Sequence, residues 1–263
     1  MTKIHQETYG SGKPLVLVHG WAMHTGIWRG FAKQLAQYYR VTCIDLPGHG
    51  QSEPLRPFEL DQICEVLAHN VSDEPAVWLG WSLGATVALD IARRFPKRCS
   101  ALILMTGNPH FTQVNVDDGS RQWPGMKTAL LDSFAENLQE NCQATLLRFL
   151  SLQVNGLQGY KPLMKELKTV IAQYPAPDDA TLQGGLSILK NADLRPALVD
   201  LSMPVLAIFG AKDALVPVAV AEFMQQLAPN MRIKIIDKAG HAPFLSHPNE
   251  VVALMTDFIE HHV

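Results

Sequence analysis

Ser82 stands in Gly80-Trp81-Ser82-Leu83-Gly84, a G-x-S-x-G pentapeptide between an apolar run and an amphipathic one. A serine hydroxyl is a weak nucleophile until a base takes its proton, and the base needs an acid to hold it. Between a strand and a helix, the pentapeptide forms a nucleophile elbow. The turn is so tight that the residues two before and two after the serine must be small, which Gly80 and Gly84 satisfy. A helix starting at Leu83 would aim its N–H groups and positive end at a developing oxyanion.

The order expected with this elbow is serine, then an acid, then histidine. Asp213 follows the apolar run Val205–Phe209, and His241 follows Arg232–Ile236. Both fall where the carboxyl edge of a parallel sheet would bring them to Ser82. Asp237 is nearer to His241 in sequence but reads as a structural residue at a strand end. His247 reads as a surface or capping residue. The oxyanion needs two N–H donors. One is Leu83, and the other comes from the loop His19-Gly20-Trp21, with Trp21 as donor. His19 reads as a brace of that loop and His49 as a turn residue. His261 and His262 end the chain, where fraying is the default. No cluster of His, Asp, Glu or Cys has metal-ligand spacing.

These residues need a scaffold, and the chain predicts one. Pro14–His19 is a continuous apolar run, as in a strand buried on both faces. A helix is predicted from Ile27 to Tyr38 and a strand from Arg40 to Leu46. The helix Leu60–Asn70, strand Ala76–Trp81, helix Leu83–Arg94 and strand Ser100–Thr106 follow. Such alternation means crossover units and a parallel sheet. From Phe111 to Lys190 no strand is predicted. Four apolar stripes at helical spacing appear instead: Leu130–Leu138, Cys142–Leu150, Leu163–Ile171 and Leu182–Leu189. The α/β alternation returns with strand Pro204–Phe209, helix Val218–Leu227, strand Arg232–Ile236 and helix Glu250–Ile259. The expected organisation is an α/β core over residues 1–110 and 191–263, with an all-helical cap over residues 111–190.

The 263 residues are 47% hydrophobic and 18% charged, with a net charge of −3. That apolar content excludes disorder, and the charge argues against nucleic acid. Cys43, Cys64, Cys99 and Cys142 include no C-x-x-C pair. Met1–Gly10 is polar, which predicts no secretory leader. Apolar runs such as Ala101–Met105 are too short for a membrane span. The expectation is a cytoplasmic monomer.

The chain resembles a family. Leu17-Val-His-Gly-Trp21, Asp45-Leu-Pro-Gly48, Trp78–Gly84 and Ala239-Gly-His-Ala-Pro-Phe244 are similar to motifs of an α/β-hydrolase with a cap. Within that superfamily it is similar to the pimeloyl-[acyl-carrier protein] methyl ester esterases of biotin synthesis, the BioH family. Arg148-Phe-Leu-Ser-Leu-Gln153 and Gly184–Lys190 carry the more specific likeness. Ala85 departs from the family, which usually has a second glycine there, and several basic cap positions are only partly kept.

The resemblance implies a triad of Ser82, Asp213 and His241, with oxyanion donors Trp21 and Leu83. It implies that Phe149, Leu150, Ser151, Leu152 and Gln153 line the acyl pocket, Phe149 and Leu152 being the better candidates. Between Gln143 and Val170, Arg148, Lys161, Lys165 and Lys168 face one acid, Glu166. The three lysines share a helix face. Charge pattern alone reads them as a solvated face. The resemblance makes Arg148, Lys161 and Lys165 a docking patch for an acidic carrier protein.

The expected activity is therefore hydrolysis of the methyl ester of pimeloyl-acyl-carrier protein, with no cofactor. A general short-chain esterase, lactonase or thioesterase would use the same triad. A hydrolase-fold binding protein would usually have lost one of its members. Ser82 at the elbow excludes the relatives that use an aspartate nucleophile.

Overall fold

The computed structural model describes residues 2–71, 73–114, 122–155, 157 and 159–263. Seven strands form one sheet: β1 (Gln6–Tyr9), β2 (Pro14–Val18), β3 (Arg40–Ile44), β4 (Ala76–Trp81), β5 (Cys99–Met105), β6 (Val205–Gly210) and β7 (Arg232–Ile236). Their spatial order is β1-β3-β2-β4-β5-β6-β7. Only β1 runs antiparallel, paired with β3. It is a short, half-exposed strand with no apolar run, so hydrophobic patterning does not reveal it.

Every residue of β4 and of β6 is buried. Their side chains alternate between two faces. Along β2, Val16 and Val18 join one core cluster, while Leu15 and Leu17 join the other. β7 is an edge strand, and its exposed Lys234 suits an unpaired margin.

Helices α1 (Arg29–Leu35), α2 (Leu60–Asn70), α3 (Leu83–Arg94), α8 (Val220–Leu227) and α10 (Pro248–His262) complete the α/β part, with the short α7 (Arg195–Val199) and α9 (Pro243–Ser246). Helix α1 is shorter than the sequence predicts. A 3-10 turn, Thr25–Trp28, precedes it, with the His24 side chain accepting from Gly26 N–H. The closing helix runs beyond the predicted Ile259 to His262, whose ring stacks on Phe258.

Between β5 and β6 lie α4 (Thr128–Gln153), α5 (Lys161–Ile171) and α6 (Asp179–Asn191). Residues 115–121 of the predicted cap fall outside the described residues. The two predicted stripes Leu130–Leu138 and Cys142–Leu150 become one element broken at Asn141, whose φ is −155° and ψ is 88°. Asn141 Oδ1 accepts from Ala144 N–H at 3.0 Å, so its side chain starts the second half as an N-cap would.

Candidate active site

Ser82 occupies the turn between β4 and α3 with φ 56° and ψ −119°. A side-chain-bearing residue at this φ is strained, and such strain persists only where the surroundings enforce it. They do so here. A Cβ on Gly80 would lie 2.1 Å from the Gly84 carbonyl oxygen, and one on Gly84 would lie 2.2 Å from that of Val18. Both small residues of the pentapeptide are thus required by backbone packing. Ser82 N–H donates to the Met105 carbonyl at 3.2 Å, tying the elbow to β5.

Asp213 lies in the loop after β6, and His241 in the loop after β7. His241 Nδ1–H donates to Asp213 Oδ2 at 2.8 Å, with both side chains fully buried. Asp213 Oδ1 accepts from Leu215 N–H at 2.8 Å and Val216 N–H at 3.0 Å. These bonds fix the carboxylate, and the carboxylate fixes the imidazole tautomer that leaves Nε2 as an acceptor. Ser82 Oγ and His241 Nε2 are both buried with no hydrogen-bond partner. No hydrogen bond joins these two atoms in this structure, and a hydroxyl and a basic nitrogen are the two groups that proton transfer requires. The rivals stand elsewhere. Asp237 is exposed, and His247 is half-buried with Nδ1 on Ser246 Oγ.

The loop after β2 lies against the elbow. A Cβ on Gly20 would come within 3.2 Å of Ser82 Cβ, a tight contact that glycine avoids. His19 braces the loop, as expected. Its Nδ1–H donates to the Gly20 carbonyl at 2.8 Å, and its Nε2 accepts from Leu46 N–H at 2.9 Å. Burial drives its pKa down to about 3, so it stays neutral. Trp21 follows Gly20, and Leu83 is the first residue of α3, where an N–H has no intrahelical acceptor.

In the second half of α4, Phe149 is buried edge-on to Trp21, at 4.7 Å between ring centroids. Leu150 is buried in the other core cluster, with Trp81 and Phe244. Leu152 is half-buried. Gln153 is buried with Oε1 unpartnered, and its carbonyl oxygen lies 3.1 Å from where a Gly240 Cβ would stand, one residue before His241. Ser151 differs from expectation. It is exposed, and its hydroxyl donates to the Arg148 carbonyl at 2.6 Å, because the helix turns it away from the buried side.

Residues 13–248 match the family model of the alpha/beta hydrolase fold. A pimeloyl-[acyl-carrier protein] methyl ester esterase from Nitrosomonas europaea is 41% identical over 254 residues, covering 96% of this chain and 98% of that one. Its namesake from Serratia marcescens is 38% identical over the whole of both chains. The chain belongs to this esterase family of α/β-hydrolases.

Solved structures agree on the fold. An esterase from Exiguobacterium antarcticum superposes with TM-score 0.84 at 23% identity, covering 98% of this chain and 96% of that one. An enol-lactonase from Burkholderia xenovorans does so with TM-score 0.82 at 18% identity, covering 98% and 97%.

In this esterase four basic residues of the insertion, Arg148, Lys161, Lys165 and Lys168, are exposed. Lys161, Lys165 and Lys168 flank one groove with Tyr160 and Met164. All three are exposed, and no ion pair to them occurs among the described residues. Arg148 is exposed and lies over the Phe134 ring at 5.4 Å. No group of three metal-ligating side chains occurs among the described residues.

Sequence reasoning missed the groups that hold the His241 backbone. Trp81 Nε1–H and Thr106 Oγ1–H both donate to the His241 carbonyl, at 2.7 and 2.8 Å. A tryptophan within the elbow motif was the available signal. Nothing in the sequence marks Thr106.

Proposed function

We propose that this esterase hydrolyses the methyl ester of a pimeloyl chain carried on acyl-carrier protein, releasing methanol and pimeloyl-carrier protein in biotin synthesis. In this reading Ser82 is the nucleophile, His241 the general base and acid, and Asp213 the group that orients His241. Ser82 Oγ attacks the ester carbonyl as its proton passes to His241 Nε2. The N–H groups of Trp21 and Leu83 hold the tetrahedral oxyanion. The tetrahedral centre collapses, and methanol leaves with the proton from His241. Water, deprotonated by His241, then attacks the acyl-enzyme and frees Ser82.

The observation that carries the reading is the buried Asp213–His241 pair, in a chain that also holds an elbow serine and has about 40% identity to esterases of that name. Residues 111–190 act as the cap, and Phe149, Leu150, Leu152 and Gln153 contribute its inner lining. Ser151 contributes backbone only. Arg148, Lys161 and Lys165 form the face toward an acidic carrier protein. The reading places a monomer in the cytoplasm, and the four unpaired cysteines accord with a reducing compartment.

The test compares kcat/KM for methyl-pimeloyl-carrier protein with that for a free short-chain p-nitrophenyl ester, using Ser82→Ala as the blank. A large preference for the carrier-bound ester is expected. Equal or better turnover of the free ester would make this a general short-chain esterase.

A further inference from the structure

Helix α6 carries two adjacent glycines in its interior, Gly184 and Gly185, where alanine would form the better helix. Neither has a positive φ, so backbone conformation does not require them. Close approach does. A Cβ on Gly184 would lie 2.8 Å from Phe58. A Cβ on Gly185 would lie 2.5 Å from Trp21 Cδ1, 2.9 Å from Trp21 Nε1 and 3.5 Å from Leu83 Cδ2. The bare backbone of Gly185 therefore packs against the Trp21 indole, and the space its side chain would fill borders on Leu83. One turn earlier in the same helix, the Leu182 carbonyl accepts from Trp21 Nε1–H at 3.0 Å. Phe149 closes the ring from a third side.

We propose that Gly185 and the Leu182 carbonyl position the oxyanion hole. They clamp the Trp21 indole, and through it the Trp21 backbone N–H that faces the oxyanion. This rests on the serine-esterase reading above. The helix that carries the clamp belongs to the insertion, and the donor belongs to the α/β part, so the two must be docked for the hole to be complete. A methyl group on Gly185 reaches ordinary contact only if a neighbour yields by close to 1 Å. A donor displaced on that scale loses much of its hold on a transition state, since errors of about 1 Å can cost about a hundredfold in rate. Gly185 touches no reacting atom and is a positioning residue.

The experiment measures kcat and KM for p-nitrophenyl butyrate, labelling by a fluorophosphonate and Tm, for wild type, Gly185→Ala, Trp21→Phe and the double variant. Ser187→Ala, on the exposed side of α6, is the control. Gly185→Ala is expected to lower kcat at least tenfold, with KM within twofold and Tm lowered by no more than a few degrees, because the better helix former offsets part of the overpacking. Trp21→Phe alone, which removes the bond to Leu182 while keeping the glycine, is expected to lower kcat as well. The double variant should lose less than the two singles combined, because both changes act through the same ring. A wild-type kcat in Gly185→Ala, a rise in KM alone, or fully additive losses in the double variant would overturn the clamp. Should Gly185→Ala fold poorly, full kcat in Trp21→Phe would overturn it equally. A wild-type enzyme that neither labels nor turns over would overturn the esterase reading instead.

Discussion

Trp81 Nε1–H donates to the His241 carbonyl at 2.7 Å, so the residue before the proposed nucleophile carries the backbone of the proposed base. The Trp81 ring also packs edge-on to Phe244 at 5.0 Å, three residues beyond His241. One side chain thus sets the distance between two loops that come from β4 and β7. Trp81→Phe keeps most of the packing and loses the donor. Thr106 Oγ1–H still holds the same carbonyl at 2.8 Å. The expected cost is about 1 kcal/mol of stability for the lost hydrogen bond, with a several-fold fall in kcat. Trp81→Phe with Thr106→Val should lose more than the two singles together. Urea unfolding and steady-state kinetics on the four proteins check this.

Asp213→Asn keeps the shape of the acid and reverses its hydrogen-bond logic. The amide offers an N–H where His241 Nδ1 now donates, so the imidazole turns to the wrong tautomer for taking the Ser82 proton. The expected loss in kcat is about ten-thousandfold, against about a millionfold for Ser82→Ala. KM should change little in either. A pH profile separates the cases: the residual activity of Asp213→Asn should rise at alkaline pH, where hydroxide substitutes for the base.

Much of this was legible in the sequence because burial writes itself into continuous apolar runs. Helices Leu60–Asn70 and Leu83–Arg94 and strands Ala76–Trp81 and Arg232–Ile236 have the predicted bounds. The Asp213–His241 pair was legible from spacing because each follows a strand whose carboxyl end must point the same way, and the elbow at Ser82 from its two glycines. What stayed hidden has a physical reason too. Strand β1 is polar and pairs at an edge, so it has no periodicity to read. Ser151 shares a sequence motif with Phe149 and Gln153 but not their side of the helix. The bond from Trp21 to Leu182 joins residues 161 apart, and nothing local announces it.

His19 and His49 are both fully buried, 5.2 Å apart between ring centroids, and burial depresses each pKa to about 3 from 6.5. His19 Nε2 must stay unprotonated to accept from Leu46 N–H. Below pH 6.5 the unfolded chain binds protons on both rings, and the folded chain does not until pH nears 3. Stability contributed by these rings is therefore full above pH 6.5 and lost as pH falls toward 3. The slope is about 1.4 kcal/mol per pH unit for each ring. Urea midpoints should fall steeply between neutral and mildly acidic buffer, and His49→Gln should flatten the fall.

Ala85 faces Gly107, whose missing side chain makes room for it. A Cβ on Gly107 would lie 2.5 Å from Ala85 Cβ, far inside contact distance. Gly107→Ala is expected to cost about 1–3 kcal/mol through overpacking in a buried turn. Ala85→Gly in the same chain should return most of that loss, since it removes the opposing methyl. Thermal unfolding of both singles and the double variant measures the coupling. Independent, additive effects would show that the two positions do not share this space.

Lys161 and Lys165 lie one helical turn apart on an exposed face of the insertion, and no ion pair to either occurs among the described residues. An acidic carrier protein would be drawn to such a face, and its effect should fall on encounter more than on chemistry. Lys161→Glu with Lys165→Glu is expected to lower kcat/KM for methyl-pimeloyl-carrier protein at least tenfold, chiefly through KM. Hydrolysis of a free p-nitrophenyl ester by the same variant should stay at the wild-type rate, because neither lysine reaches Ser82. Salt should weaken the wild-type reaction on the carrier substrate and leave the variant nearly unchanged, since screening acts on an attraction the variant no longer has. A carrier reaction indifferent to both salt and charge reversal would make these lysines an ordinary solvated face.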